Sequence, residues 1–318
     1  MMFFLVLSLR SVYLGADTIR YVNYFKLFSK TSFIDLLSNK LTIERGFAIF
    51  NKIVGLISDN ERYFLVVTSF IILFSIIKFI YKNSNIPWLS LFLFLSLGNF
   101  TSIFNILRQL IAISILINTF GYIRDREIKK FLLFYFVAVS IHTTAVFFII
   151  IYIIYPFKIN YIYIFYSFLS SCLIYLFSNK LLNLLFHYSN KYEIRYSENL
   201  RSGNGKGMLI MLATVLFVGY FLEKLEIKKD KNYMFYHMIN IAVILQIISL
   251  KFALFSRVVS YFSIGLIVFI PNIIYKIKEK NSRFIVIIVV CLLTSYYFYI
   301  LLDRNLGYIV PYKFYFDS

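Results

Sequence analysis

Long apolar runs alternate with short polar stretches along most of the chain. The runs cover residues 63–81, 86–104, 106–123, 131–155, 160–178, 208–222, 233–250, 258–275 and 284–302. A membrane-spanning helix needs roughly 20 apolar residues, and the runs lack the period-2 alternation of a membrane β-barrel. Together with an apolar N-terminal piece, the pattern predicts an all-α, polytopic membrane helical bundle of about ten membrane segments. We expect one integral-membrane domain over residues 1–318.

Basic residues concentrate in short connections between these runs. They are Lys78 and Lys82, Arg124, Arg126, Lys129 and Lys130, Lys224, Lys228, Lys229 and Lys231, and Lys276, Lys278, Lys280 and Arg283. Short cytoplasmic loops are enriched in Lys and Arg, so we expect these connections to face the cytoplasm. The longer segments 10–61 and 179–207 then form extracytoplasmic loops. This placement requires a re-entrant or bent hairpin over residues 160–190.

The predicted outward segment 10–61 contains two amphipathic stretches. In "SFIDLLSNKL" and "GFAIFNKIVGLI" the apolar residues recur at helical spacing. We expect interfacial helices there rather than membrane spans. The N-terminal "MMFFLVLSLR" is apolar but shorter than a span, so either the first helix is short or the true start lies upstream.

Composition supports a lipid environment. Of 318 residues, 60% are hydrophobic and only 15% are charged, whereas soluble domains have about 25% charged residues. The net charge of +18 comes from the basic loops, so we expect no nucleic-acid partner. Cys172 and Cys291 stand in apolar runs without metal-ligand spacing, and phosphate-binding glycine motifs are missing. We therefore expect neither a metal nor a cofactor.

Polar residues at the start of one apolar run form the first candidate site. In "NILRQLIAISI", a continuous helix would place Asn105, Arg108, Gln109 and Ala112 on one face. An ionised group near hydrocarbon is costly and is usually functional, although an arginine also extends to the membrane interface from helix ends. We favour the interpretation that Arg108 faces a cavity.

A second apolar run contains an ionisable residue well inside the predicted span. "VSIHTTAVF" places His142 next to two threonines. Either this histidine bonds a carbonyl in the core, or it has a function, as intramembrane ionisable residues generally do.

A third run, "FSRVVSYF", begins with Arg257, and Tyr261 follows on the same helix face. Arg257 and Arg108 would repel each other at the same membrane depth unless an anion lay between them. Phosphate is the natural anion, because guanidinium groups bind its oxygens in bidentate fashion. Asp17 and Glu44 lie in the outward segment, where each is either a general base or a solvated surface charge.

Seven stretches in this order resemble one bacterial family. They are "LRSVYLGADTIRY", "ERGF", "NILRQLIAISI", "FVAVSIHTTAVF", "KYEIRY", "SRVVSYF" and "VPYKF". They resemble the EpsG-like family of Wzy-type polysaccharide polymerases, which act in capsule, exopolysaccharide and O-antigen assembly. The spacing from Arg108 and Gln109 to His142 is the most specific part of the likeness. The family more often has Ser after the histidine, whereas this chain has Thr143.

The resemblance implies an enzyme of the bacterial cytoplasmic membrane with its active site facing outward. It would transfer a glycan from polyprenyl pyrophosphate to a sugar hydroxyl of another lipid-linked repeat unit. Arg108 and Arg257 would bind the pyrophosphate, with Arg10 as a third arginine and Gln109, Tyr21 and Tyr261 as further binding residues. His142, Asp17 or Glu44 would accept the proton. Expected partners are the lipid-linked oligosaccharide, membrane lipids, and a chain-length regulator and flippase of the same pathway.

Two other functions remain open at this stage. An O-antigen ligase, or another lipid-linked glycosyl- or acyltransferase, would use the same arginines with a different acceptor. A polysaccharide transporter or flippase would line a path with the charged residues. Transporters commonly show an internal repeat, and the sequence shows none.

Overall fold

The computed structural model describes residues 2–38, 41, 43–187, 205–223, 230, 232–253 and 255–317. Over these ranges the chain is helical, apart from turns and one isolated β-bridge between Arg10 and Phe314. The predicted all-α class is confirmed for this part of the chain. The described residues divide into two compact units, Met1–Val146 with Ile277–Ser318, and Phe147–Lys276.

The first unit contains eleven of the described helices. They are α1 (Met2–Ser8), α2 (Thr18–Lys30), α3 (Phe33–Ser38), α4 (Arg45–Gly55), α5 (Glu61–Asn83), α6 (Pro87–Ser96), α7 (Asn99–Ser102), α8 (Leu107–Ile117), α9 (Phe120–Arg124), α10 (Ile128–Ile141) and, after the second unit, α17 (Lys280–Asp303). The second unit contains α11 (Ile149–Ile154), α12 (Tyr161–His187), α13 (Lys206–Leu222), α14 (Tyr233–Ser249), α15 (Phe255–Ser263) and α16 (Leu266–Tyr275).

Three described helical segments are long and apolar enough to cross a membrane. They are α5, the segment Phe255–Tyr275, which consists of α15 and α16 together, and α17. Most of α17 is exposed, and Thr294 is its one buried residue. Large apolar side chains such as Leu292 and Leu293 are about two-thirds exposed, which is typical of a lipid-facing helix. The count of about ten spans stays a prediction.

Several apolar runs are interrupted, contrary to the prediction of one membrane segment per run. Run 86–104 divides into α6 and α7 at Gly98, whose φ of +79° is readily adopted only by glycine. Run 131–155 divides at His142, where the backbone is extended after α10. A 3₁₀ helix, Thr143–Phe148, and α11 follow it. The hydropathy pattern correctly predicted helices over these runs, but it did not predict the breaks in the backbone.

The predicted hairpin over residues 160–190 is wrong. The described part of this segment forms the single helix α12, which begins at Tyr161 and ends at His187. Its sequence has neither Gly nor Pro to reverse the chain. The predicted loop 179–207 therefore overlaps α12 at one end and α13 at the other, while "KYEIRY" and residues 188–204 lie outside the described residues.

Segment 10–61 contains both helices predicted from its amphipathic stretches, as α3 and α4. It also contains α2, whose polar and aromatic sequence gave no comparable signal. Helix α4 packs on α2 and α10, and α8 packs on α10 and α5. The N-termini of α4 and α8 and the C-terminus of α10 are thereby brought together.

Two glycines allow close approach inside the first unit. A Cβ added at Gly46 in α4 would lie 2.6 Å from the backbone carbonyl of Ser140 in α10. Gly15 has a φ of +93°, and an added Cβ would lie 2.4 Å from the carbonyl oxygen of Phe104. No other residue fits at either position without movement of the backbone.

In the second unit, buried polar pairs join the helices. Tyr163 of α12 lies 2.9 Å from Nδ1 of the fully buried His237 of α14. Asn272 donates to Asn232 at 2.7 Å. An apolar cavity of about 610 Å³ lies beside the α12–α14 contact and is lined in part by Tyr163 and Asn240. Such pairs satisfy polar groups where water is scarce.

Candidate functional site

The carboxylate of Glu44, in the first unit, contacts both Arg108 and His142. Oε2 of Glu44 pairs with Nη1 of Arg108. Oε1 of Glu44 lies 3.2 Å from Nδ1 of His142. The same oxygen accepts hydrogen bonds from the backbone N–H and the hydroxyl of Thr143, at 3.2 and 3.3 Å. We call these four residues the Glu44 cluster.

Each member of the Glu44 cluster occupies the end of a helix. Glu44 directly precedes α4, Arg108 is the second residue of α8, and His142 follows the last residue of α10. The contact between Gly46 and Ser140 sets the approach of α4 to α10. The break at His142 thus has a structural reason, because the extended residue lets its ring and the N–H of Thr143 reach one carboxylate.

The cluster is shielded from solvent but not closed. The side chains of Arg108, Glu44 and His142 are 21, 16 and 10% exposed. The guanidinium of Arg108 lies 5.8 Å from the ring centroids of both Tyr21 and Phe47, a distance compatible with cation–π attraction. Arg108 is thus both paired with a carboxylate and packed between two aromatic rings within the first unit.

The surroundings of Glu44 strongly favour its ionised form. Burial raises the pKa of this carboxyl, but the hydrogen bond with His142, the charge of Arg108 and the backbone hydrogen bonds outweigh that effect and lower the pKa to about 2. At neutral pH the carboxylate is therefore charged. It holds Arg108 in place as a positively charged group with one nitrogen, Nε, that has no hydrogen-bond partner among the described residues.

The first unit contains other residues that the sequence predicted for the site, and some of them do not contact the Glu44 cluster. The hydroxyl of Tyr21 donates to the carbonyl of Asn105 at 3.2 Å. Asn105 stands in the turn before α8, so the prediction that it shares a helix face with Arg108 is wrong. Gln109 is buried within α8. Asp17 pairs with Arg20 at 3.3 Å, so of the two carboxylates predicted as bases it is Glu44 that meets His142.

The EpsG family profile matches residues 1–314 of this chain. The chain belongs to the EpsG family. No curated protein matches it, and no solved structure does. Membership of the EpsG family, with the apolar helices described above, indicates a membrane protein of polysaccharide biosynthesis.

The EpsG-family chain carries the remaining predicted residues elsewhere. Arg257 and Tyr261 belong to α15 of the second unit, where Arg257 is exposed and Tyr261 is fully buried. A clamp of Arg108 with Arg257 stays a prediction. Arg10 is buried in the first unit near Arg62 and Tyr312. Arg62 was missed in the sequence, because an arginine in the first turn of an apolar helix resembles an ordinary surface charge.

No group of three metal-ligating side chains occurs among the residues that the structure describes. What this EpsG-family site does offer is a guanidinium that can bind an oxyanion, an imidazole, and between them a carboxylate that can accept a proton. His142 directs its Nε2 away from Glu44, and that nitrogen lacks a hydrogen-bond partner in the described part of the chain. A reaction that transfers a group to a hydroxyl and releases an anionic leaving group requires side chains of these kinds.

Proposed function

We propose that this protein polymerises polyprenyl-pyrophosphate-linked oligosaccharide repeat units on the outer face of the cytoplasmic membrane. The observation that carries the proposal is the Glu44 cluster, in which a guanidinium, a carboxylate and an imidazole meet at three helix ends. Family membership supports polysaccharide biosynthesis as the context.

The first step is binding of the donor diphosphate at Arg108. A diphosphate carries more charge than one carboxylate and accepts bidentate hydrogen bonds from a guanidinium. It therefore competes with Glu44 for Arg108. The partner-free Nε of Arg108 provides an additional donor for the incoming oxygens.

The exchange at Arg108 changes the chemistry of Glu44. Once the guanidinium turns to the diphosphate, Glu44 loses one of the interactions that lower its pKa, while burial continues to raise that pKa. The carboxylate becomes a stronger base at the moment when the donor is in place. His142 and Thr143 keep its Oε1 oriented.

In the transfer step, the acceptor sugar hydroxyl attacks the anomeric carbon of the donor repeat unit. A new C–O glycosidic bond forms as the C–O bond to the diphosphate breaks, and the hydroxyl proton moves to Glu44. The electron pair of the broken bond stays on the lipid diphosphate, where Arg108 stabilises the added charge. One fixed donor that stabilises developing charge commonly raises the reaction rate by a factor of about 10² to 10³.

The test is polymer growth by purified protein supplied with lipid-linked repeat units. We expect a ladder of lengthened products, and we expect Arg108→Ala to lower the rate about 100-fold or more. Arg20→Ala is the matched control, since Arg20 is an arginine of α2 whose side chain is exposed. Undiminished chain growth with Arg108→Ala would refute the proposal, and so would a wild-type protein that attaches finished polymer to another molecule without lengthening it.

A further inference from the structure

A second pair of arginines in the first unit lies apart from the Glu44 cluster. Arg10 follows α1 and is 1% exposed, and Arg62 stands in the first turn of α5. Nη1 of Arg62 donates to the backbone carbonyls of Ser8 and of Arg10, the latter at 3.0 Å. The two side chains are close enough that the charge of Arg62 acts on the guanidinium of Arg10.

This pair lacks a neutralising carboxylate in the described part of the chain. Glu61, whose charge acts on Arg62, forms its ion pair with Lys26. Nε and Nη1 of Arg10 and Nη2 of Arg62 have no hydrogen-bond partner among the described residues. Buried cations in proteins are normally paired, so two adjacent guanidinium groups with free donors indicate an anion that binds between them.

The C-terminal segment covers the pair. The N–H of Ser11 donates to the carbonyl of Lys313 at 2.9 Å, and the N–H of Tyr315 donates to the carbonyl of Leu9 at 3.0 Å. The ring of Tyr315 stacks on Arg62, with 3.5 Å between the guanidinium carbon and the ring centroid. The hydroxyl of Tyr312 also donates to the carbonyl of Val6 at 2.7 Å, so a ligand reaches both arginines when this segment is displaced.

We propose that Arg10 and Arg62 form a second anion site, which binds a diphosphate group beneath the segment Tyr312–Tyr315. Two adjacent guanidinium forks match a ligand with several oxygens and more than one negative charge better than a single carboxylate. The identity of the ligand rests on the proposed function, in which two lipid-linked repeat units react. Arg108 then holds the donor diphosphate, and the second site holds the diphosphate of the acceptor lipid or a free diphosphate.

The experiment measures binding of two probes, inorganic pyrophosphate and polyprenyl diphosphate, to the full chain in nanodiscs. All variants carry Arg108→Gln as well, so that the remaining binding reports the second site. We expect Arg62→Gln to weaken pyrophosphate binding at least tenfold and Arg62→Lys to weaken it less. Arg20→Gln removes an equal charge from an exposed position and should leave the affinity within twofold. Thermal unfolding of each variant confirms that it is folded.

The buried position of Arg10 makes Arg10→Gln prone to misfolding, so Arg10→Lys, which keeps the charge, serves as the second variant. Weaker binding of both probes identifies a lipid diphosphate as the ligand, and weaker binding of inorganic pyrophosphate alone identifies a free diphosphate. Wild-type affinity of Arg62→Gln and Arg10→Lys for both probes would overturn the inference. Since binding needs no chain growth, a protein that binds at this site without lengthening glycans would refute only the proposed function.

Discussion

At the scale of single residues, Glu44 holds the candidate site together through its charge. Arg108, His142 and Thr143 all contact its two carboxylate oxygens. Because these contacts favour the ionised form over the neutral form, they stabilise the fold only while Glu44 is charged. The stability of the first unit should therefore depend on pH in a direction that can be worked out.

The pKa of Glu44 falls from 4.5 to about 2 on folding. A group whose pKa is depressed in the folded state stabilises fully above its unfolded pKa, and the stabilisation is lost as the pH falls through the folded pKa. We expect Glu44→Gln to lower the free energy of unfolding by about 1–2 kcal/mol at pH 7, after solvent screening. The difference should shrink between pH 4.5 and pH 2.5 in thermal unfolding of detergent-solubilised protein.

Asp17→Asn is the matched control for this experiment. Asp17 pairs with the exposed Arg20, and exposed pairs contribute little to stability. A stability difference for Glu44→Gln that stays constant from pH 7 to pH 2.5 would contradict the role assigned to the ionised carboxylate.

Sequence patterns identified individual residues of the site but not their partners. Arg108 and His142 were selected because ionisable groups are costly in apolar runs, and the structure brings both to Glu44. Glu44 itself gave only an ambiguous signal, since one carboxylate in a polar segment is equally a surface charge. The pairing of Glu44 with Arg108 joins residues 64 positions apart, and no local spacing encodes such a contact.

At the scale of helices, the approach of α4 to α10 determines where Glu44 lies. A Cβ at Gly46 would meet the hydroxyl of Ser140 at 2.2 Å and its backbone carbonyl carbon and oxygen at 2.6 Å. The backbone cannot give way as a flexible side chain can, so the two helices would have to separate. That movement would draw Glu44 away from His142.

We therefore expect Gly46→Ala to destabilise the protein by about 1–3 kcal/mol and to reduce polymer growth. Thermal unfolding and the chain-growth assay measure the two effects. Gly207→Ala in α13 is the control, since nothing lies within 4 Å of an added Cβ there and alanine favours a helix. Equal behaviour of the two variants would show that the close contact does not matter.

The helices also show how far hydropathy predicts a membrane protein. Apolar composition predicted the helical class, and amphipathic spacing predicted α3 and α4. Neither signal predicted the breaks at Gly98 and His142. These breaks depend on the backbone conformation of single residues within runs whose composition does not change. The uninterrupted α12 differs from the predicted hairpin because loop orientation is a weaker guide to backbone reversal than the presence of Gly or Pro, and α12 contains neither.

Helix α17 allows a test of lipid exposure. Leu292 lies near its middle and is 66% exposed. A lysine at the centre of a membrane helix costs about 2.5–3.5 kcal/mol in insertion, so Leu292→Lys should reduce the amount of protein recovered from the membrane fraction. Leu292→Phe keeps the apolar character and should be recovered as the wild type is. Equal recovery of both variants would mean that α17 is covered by protein rather than by lipid.

At the scale of the whole molecule, the proposed reaction requires the Glu44 cluster to face outward, where lipid-linked repeat units are joined. The positive-inside rule supports this orientation, since the short connection around Arg124, Arg126 and Lys129 is basic and exposed. Segment 10–61, which carries Glu44, would then lie on the opposite side of the membrane from that connection.

Cysteine labelling in intact cells tests this orientation. In a background with Cys172→Ala and Cys291→Ala, the exposed position of Lys30→Cys should react with a membrane-impermeant maleimide without permeabilisation. The exposed position of Lys129→Cys should react only after the membrane is opened. The reverse pattern would place the Glu44 cluster on the cytoplasmic side, where the proposed acceptor and donor do not meet. Because the carboxylate–guanidinium pair would persist in either orientation, such a result would exclude the outward reaction while leaving the described contacts intact.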